Sequence, residues 1–390
     1  MTDFSPTTDA LSPPLNILLL SPYHGGSHQA WATGYQQHTK HQLTILSLPA
    51  RFWKWRMHGG AITLAHQFNQ NPQPYDLIIA TDMLDLTTFL TLTRPHTATT
   101  PTALYCHENQ LTYPLPADKK TGPMRRQKGE RDLHYAFINY ASMLAANHIF
   151  FNSNYHQQTF FTALTRYLNR FPEYDTTHTI PNLQARSTVL PVGIDFARLI
   201  PPPTLDRGTP PLILWNQRWE YDKNPAAFFQ ALYHLQEKNI PFRLAICGQN
   251  FRRHPHEFDE AQQRLADQII HSGYADTAQY RQLLWQADIT VSTAYHEFFG
   301  ISILEAIYCH TFPLLPNNLS YPELIPTAFH PHCLYATQEE LQTKLNALLT
   351  TSANERNQVI STLAPQIAQY DWSLIANRYD REFAQLTHLL

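Results

Sequence analysis

Two carboxylates eight residues apart, Glu297 and Glu305, bracket the run of this chain that says most about chemistry: His296-Glu297-Phe298-Phe299-Gly300-Ile301-Ser302-Ile303-Leu304-Glu305-Ala306-Ile307. Glu305 falls inside a segment that is apolar on nearly every side, the pattern of a buried helix, and a buried carboxylate needs partners. Glu297 stands just before the expected helix start, where free N–H groups and the positive dipole end suit an anion. Together these features describe a clamp for a nucleotide sugar. A packed core helix with one carboxylate reaching to its edge describes the same run, so the rest of the chain must decide.

Four other stretches carry chemistry-bearing side chains. Ser21-Pro22-Tyr23-His24-Gly25-Gly26-Ser27-His28 follows an apolar run and has glycines that let backbone approach a ligand, but it is neither a G-x-G-x-x-G fingerprint nor a Walker loop. Tyr105-Cys106-His107-Glu108-Asn109-Gln110 closes another apolar run with four consecutive polar groups, and His107 is suited to a sugar hydroxyl or a proton. Phe52-Trp53-Lys54-Trp55-Arg56 mixes rings that stack bases with cations that grip phosphate; a partly buried aromatic turn is the plainer explanation. In Trp215-Asn216-Gln217-Arg218-Trp219-Glu220-Tyr221-Asp222-Lys223-Asn224-Pro225, Arg218 and Lys223 would neutralise a diphosphate, one through its fork and one as a point charge. A basic stretch, Asp118 to Asp132, reads as a solvated loop or as a contact for an anionic macromolecule.

The frame for these loops is an α/β chain. At 390 residues and 43% apolar content, two domains with real cores are expected. A formal charge of −3 excludes bulk electrostatic coating of nucleic acid, though not a local basic patch. The 21 histidines show no zinc spacing, and the four cysteines form no C-x-x-C pair, which suits a reducing compartment. Met1 to Pro14 is polar and Pro-rich, unlike a signal peptide, and no run approaches the ~20 apolar residues of a membrane span. A cytoplasmic monomer without membrane attachment is the expectation.

Strand-like runs are read at 15–21, 43–48, 76–81, 102–106, 149–152 and 187–192, then at 212–216, 243–247, 289–292 and 312–315. Helices are read at 28–38, 61–70, 130–146 and after Asn154, then at 225–238, 255–270, 278–286, 300–310, 339–349, 354–369 and 371–390. The organisation expected is an irregular start (1–14), a first doubly wound domain (15–200), a Pro-rich linker (201–210), a second such domain (211–370) and a final helix (371–390). Ligands gather outside the carboxyl ends of strands in such sheets, where the polar loops lie.

Taken together, these pieces resemble a GT-B glycosyltransferase, two Rossmann-like domains facing across a cleft, of the retaining group that shares an E-x7-E element. Glu297 and Glu305 match that element, Arg218 and Lys223 its pyrophosphate-binding pair, and Gly25-Gly26 its glycine loop. A narrower resemblance lies in SPYHGGSHQAW, ARFWKWRMHGGA, YCHENQLTYP, FNSNYHQ and ILWNQRWEYDKNP, which is similar to the tRNA-queuosine mannosyltransferases. That resemblance implies retaining transfer of mannose from GDP-mannose to queuosine at the wobble position of a tRNA, with an aspartate tRNA as the expected acceptor.

The implied donor set is Gly25, Gly26, Arg218, Lys223, Glu297, Phe298, Phe299, Gly300, Ile301 and Glu305, with Glu305 on ribose and Glu297 on mannose. His107, Glu297, Arg218 and Lys223 would carry catalysis, with no metal and no cofactor besides the donor. The implied tRNA contacts are His24, Arg51, Trp53, Lys54, Trp55, Glu108, Asn109 and Gln110, together with Lys119, Lys120, Arg125, Arg126 and Arg131 in the basic stretch. The resemblance also implies that the final helix crosses back onto the first domain. A GT-B transferase for a lipid, polysaccharide or other small acceptor is the alternative, followed by a sugar-nucleotide epimerase and a non-catalytic RNA-binding module.

Overall fold

A computed structural model describes residues 13–114, 133–248, 254–350 and 353–388. Its first sheet is parallel throughout: β1 (Asn16–His24), β2 (Gln42–Pro49), β3 (Leu77–Thr81), β4 (Thr102–Cys106), β5 (His148–Phe151) and β6 (Ser187–Val189). The spatial order is β2-β1-β3-β4-β5-β6. Strands β3 and β4 are buried along their whole length, which is why they read as unbroken apolar runs and not as alternation. The connecting helices are α1 (Gly26–His38), α2 (Trp53–Gln70), α3 (Leu86–Thr97), α4 (Leu133–Ala145), α5 (Asn154–Leu168) and the short α6 (Ile180–Ala185).

The second sheet holds β7 (Leu212–Asn216), β8 (Arg243–Cys247), β9 (Ile269–Gly273), β10 (Ile289–Val291), β11 (Phe312–Pro316) and β12 (Leu334–Tyr335). Its order, β12-β11-β10-β7-β8-β9, reverses between β7 and β10. Helices α7 (Pro225–Glu237), α8 (Glu257–Arg264), α9 (Thr277–Gln286), α10 (Ile301–Tyr308), α11 (Tyr321–Leu324), α12 (His330–Cys333), α13 (Gln338–Thr350) and α14 (Ala353–Ile367) complete this half.

The last helix, α15 (Trp372–Leu386), returns to the first half. Tyr379 Oη accepts from Trp31 of α1 at 3.0 Å and meets Tyr105 Oη at 3.1 Å, and Tyr35 donates to Asp380 at 2.9 Å. The molecule is thus a GT-B fold: two doubly wound halves, each with its own core, and a crossing C-terminal helix.

Three expectations need correction. Helix α2 starts at Trp53, well before Ala61, so the aromatic-cationic run is its first turn and not a separate loop. Gly59 and Gly60 mid-helix hide the pattern. The helix expected over 255–270 ends at Arg264, and Ile269–Gly273 forms an edge strand paired only to β8. Its short Ile-Ile-His-Ser-Gly run, with Ile270 exposed, gives no alternating strand signal. Helix α3 has no counterpart among the expected helices; threonines and Pro95 obscure it, but Asp85 caps it by accepting from Thr88 N–H. All four cysteines are free and buried. Among the described residues, no helix is long and apolar enough to cross a membrane.

Candidate active site

The sheet order switches between β7 and β10, and the loops after those two strands carry the expected donor-binding side chains. After β7, a single 3-10 turn (Tyr221–Lys223) leads into α7, capped by Asn224. Lys223 is buried and faces back toward the loop after β10. Its Nζ donates to the His296 carbonyl (2.8 Å) and lies 3.2 Å from Glu297 Oε2 and 3.3 Å from Asp222 Oδ2. Burial pulls this ammonium down, but Glu297 and Asp222 outweigh it and hold it above its usual value. Thr293 Oγ1 donates to the Lys223 carbonyl at 3.0 Å and ties the two loops together.

Gly300 caps α10 at φ +107, a backbone conformation that favours glycine. No side chain caps this helix, which leaves its start open to an anion. Phe298 is buried, stacked on His156 of the first half (3.8 Å, 17°) and edge-on to His296 (4.3 Å). Glu305 is buried with partners from the protein itself: Arg198 binds Oε1, and Tyr280 donates to Oε2 at 2.8 Å. A ribose hydroxyl at Glu305 has to share or displace one of these.

Arg218 reaches across the cleft. It pairs with Glu220 (3.2 Å) and donates to Tyr113 Oη of the first half (3.4 Å). Tyr221 likewise donates to the Pro114 carbonyl at 2.6 Å. Around Arg218 and Lys223 stand Glu108, Glu220, Asp222 and Glu297. Burial raises the carboxyls of Glu108 and Glu220 against the pull of Arg218.

On the first half, His107 sits at the carboxyl end of β4. Its N–H donates to Asp82 Oδ1 at 2.8 Å, and its ring leans on His28 (4.3 Å) and meets Trp31 edge-on (4.8 Å). Burial drives His107 and His156 well below the usual imidazole range, and His28 and His296 each to about 4. These rings are neutral at neutral pH. His107 Nε2 and His28 Nδ1 are buried without a hydrogen-bond partner among the described residues. Gln110 donates to Glu108 at 3.0 Å. Asn109 is fully buried, and its Oδ1 accepts from Leu111 and Thr112 N–H, shaping the loop itself.

At the end of β1, His24 bonds Ser21 Oγ at 3.1 Å. A Cβ on Gly25 would meet Ala50 at 2.5 Å, and Gly26 takes φ +53. Lys54 lies over the rings of Trp53 (5.6 Å) and Tyr135 (5.5 Å), with Arg51 and Trp55 exposed beside it. Lys119, Lys120, Arg125, Arg126 and Arg131 lie outside the described residues. Sequence reasoning missed Asp82, Asp222, His28, His156 and Arg198. Asp82 was legible as a lone acid ending a buried strand and Asp222 as the neighbour of Lys223; nothing local marks Arg198, whose partner is 107 residues away. Among the described residues, no three His, Cys, Asp or Glu side chains converge to hold a metal ion.

This combination of fold and cleft is that of a GT-B glycosyltransferase. Residues 198–363 match the group 1 glycosyl transferases, and residues 16–194 match the tRNA-queuosine alpha-mannosyltransferase N-terminal family. A Drosophila melanogaster tRNA-queuosine alpha-mannosyltransferase is 32% identical over 339 residues, covering 85% of this chain and 86% of that one. The chain belongs to the tRNA-queuosine alpha-mannosyltransferase family. A Xanthomonas oryzae GDP-mannose:cellobiosyl-diphosphopolyprenol alpha-mannosyltransferase is 22% identical over 174 residues, 44% of this chain and 46% of that one. Among solved structures, a Rickettsia africae glycosyltransferase superposes with TM-score 0.68 at 14% identity, covering 97% of this chain and all of that one. Anabaena HepE with UDP and glucose does so with TM-score 0.66 at 14% identity, covering 95% and 99%. These two likenesses speak for the fold alone.

Proposed function

We propose that this protein transfers mannose from GDP-mannose, with retention of configuration, to the queuosine base of a tRNA, with an aspartate tRNA as acceptor, acting as a cytoplasmic monomer without a catalytic metal. The observation that carries the donor side is Lys223, buried at the switch between β7 and β10 and held against Glu297, with Arg218 at the mouth of the same crevice. The names of the Drosophila and Xanthomonas relatives support mannose as the sugar, and the latter supports GDP as its carrier.

In this reading the diphosphate lies between Arg218, Lys223 and the first N–H groups of α10. Glu297 accepts from mannose hydroxyls, and neutral His107 meets the sugar from the other side of the cleft. As the glycosidic bond to phosphate breaks, negative charge grows on the diphosphate, and these fixed cations and N–H groups stabilise it. The departing phosphate oxygen takes the acceptor hydroxyl's proton, so positioning and electrostatics supply the catalysis. Aromatic and cationic groups around Arg51, Trp53, Lys54 and Trp55 face the RNA.

The test is labelled mannose counted in precipitated tRNA, using tRNA with and without queuosine. We expect label from GDP-mannose only in the queuosine-containing tRNA. Equal labelling of both populations would overturn the acceptor assignment.

A further inference from the structure

Phe52 adopts a left-handed backbone (φ 52, ψ 57), and its side chain is 79% exposed. Neither property calls for phenylalanine: a bulky residue is disfavoured at this φ, and an exposed ring gains nothing from packing. Phe52 stands at the N-cap position of α2, where its carbonyl accepts from Trp55 and Arg56 N–H, but its side chain makes no cap hydrogen bond. Asn224, another residue with left-handed backbone, does cap its helix, by accepting from Ala227 N–H. Three residues beyond Phe52, Trp55 is 62% exposed, and its indole lies on Gly59, where an added Cβ would come within 2.6 Å of the ring.

This aromatic edge is confined to the start of α2. Beyond Ile62 the exposed face of the helix is Thr63, His66, Gln67, Asn69 and Gln70, unlike a helix that lies along a lipid surface. It continues instead across the protein: Trp53 packs on Tyr135, and His58 stacks on His134 (4.7 Å, 17°). His134 in turn lines an open cavity of about 450 Å³ with Phe137, Arg170 and Phe171. Charge points to the partner. From Ala10 to Tyr75 the chain has no Asp or Glu, and Arg51, Lys54 and Arg56 flank the two rings in sequence, within a protein of net charge −3. Exposed rings among cations fit unpaired RNA.

We propose that Phe52, backed by Trp55, is a wedge that stacks on unpaired bases of the acceptor RNA and holds the loop beside the catalytic cleft. The inference rests on the reading that the acceptor is a tRNA. Left-handed backbone at residue 52 turns the ring outward to meet the RNA, and the same strain makes the wedge testable.

Asparagine tolerates this backbone and has no ring, whereas tyrosine keeps the ring. For Phe52→Asn we expect the KM for queuosine-containing tRNA to rise roughly tenfold, a typical loss for one stacked base. The melting temperature should hold or rise, and Phe52→Tyr should restore the wild-type KM. Unchanged tRNA affinity in Phe52→Asn overturns the wedge, as does a lowered melting temperature, which would assign Phe52 a structural role. Loss of binding to anionic vesicles with tRNA affinity intact would overturn it in favour of a membrane contact. If wild-type protein transfers to no tRNA and binds none, the acceptor reading itself fails; if it transfers normally and Phe52→Asn does too, only the wedge fails.

Discussion

Lys223 lies between groups that would repel each other without it. Asp222 is fully buried and Glu297 partly so, and the ammonium stands 3.3 and 3.2 Å from them. Removing one partner of a buried ion pair leaves an uncompensated charge and costs about 3–5 kcal/mol. Lys223→Met should therefore lower the urea midpoint strongly, and adding Asp222→Asn should recover much of the loss. Additive losses in the double variant would contradict this coupling.

The neutral histidines make a second prediction at this scale. His28 titrates near 4 in the fold, mainly because it is buried, against about 6.5 unfolded. Between those values the unfolded chain binds the extra proton, so His28 stabilises the fold above pH 6.5 and loses that contribution as pH falls toward 4. The carboxyls of Asp82, Glu108 and Glu220, raised chiefly by burial, work in the opposite direction. The difference between wild type and His28→Gln is therefore the readout. Wild type should lose up to ~1.4 kcal/mol per pH unit more than the variant in this window; parallel urea profiles would refute it.

At the scale of elements, the first turn of α15 packs through one indole. Trp372 is buried, and an added Cβ at Gly34 of α1 or at Gly193 would fall 2.0 or 2.4 Å from its ring. Helix propensity alone would make Gly34→Ala stabilising by about 1 kcal/mol. The clash is far inside contact distance and should win, destabilising by about 1–3 kcal/mol or more. Calorimetry should show a lower melting temperature for Gly34→Ala and partial recovery with Trp372→Leu; a higher one would contradict the packing.

How far the elements were legible follows from the same physics. Strands buried on both faces, such as β3, β4 and β7, announce themselves by unbroken apolar runs. The edge strand β9 alternates between partial burial and exposure and has one neighbour, so pairing to β8, not its own residues, makes it a strand. In the cleft, Glu297, Lys223 and Arg218 stood out because charges amid apolar runs are conspicuous. Arg198 on Glu305 and His156 under Phe298 arise from long-range closure, which local spacing does not encode.

For the whole molecule, directional contacts join the two halves alongside apolar packing. Glu323 of the second half accepts from Asn154 and Tyr155 N–H (2.9 and 3.1 Å) and from Asn154 Nδ2 (2.9 Å), at the start of α5. An anion at a helix N-terminus is favourable there. Glu323→Ala should loosen the cleft and increase the radius of gyration in solution scattering, leaving each core intact; an unchanged radius would show that other contacts set the closure.

The chemistry of the cleft is reached most directly by weighing nucleosides from queuosine-containing tRNA after incubation with GDP-mannose and either wild type or Lys223→Gln. We expect wild type to add one hexose to queuosine, and Lys223→Gln to do so at least about a hundredfold more slowly, as for loss of a transition-state donor, while still binding tRNA. Queuosine left unmodified by a wild-type preparation that binds both GDP and tRNA would contradict the proposed function.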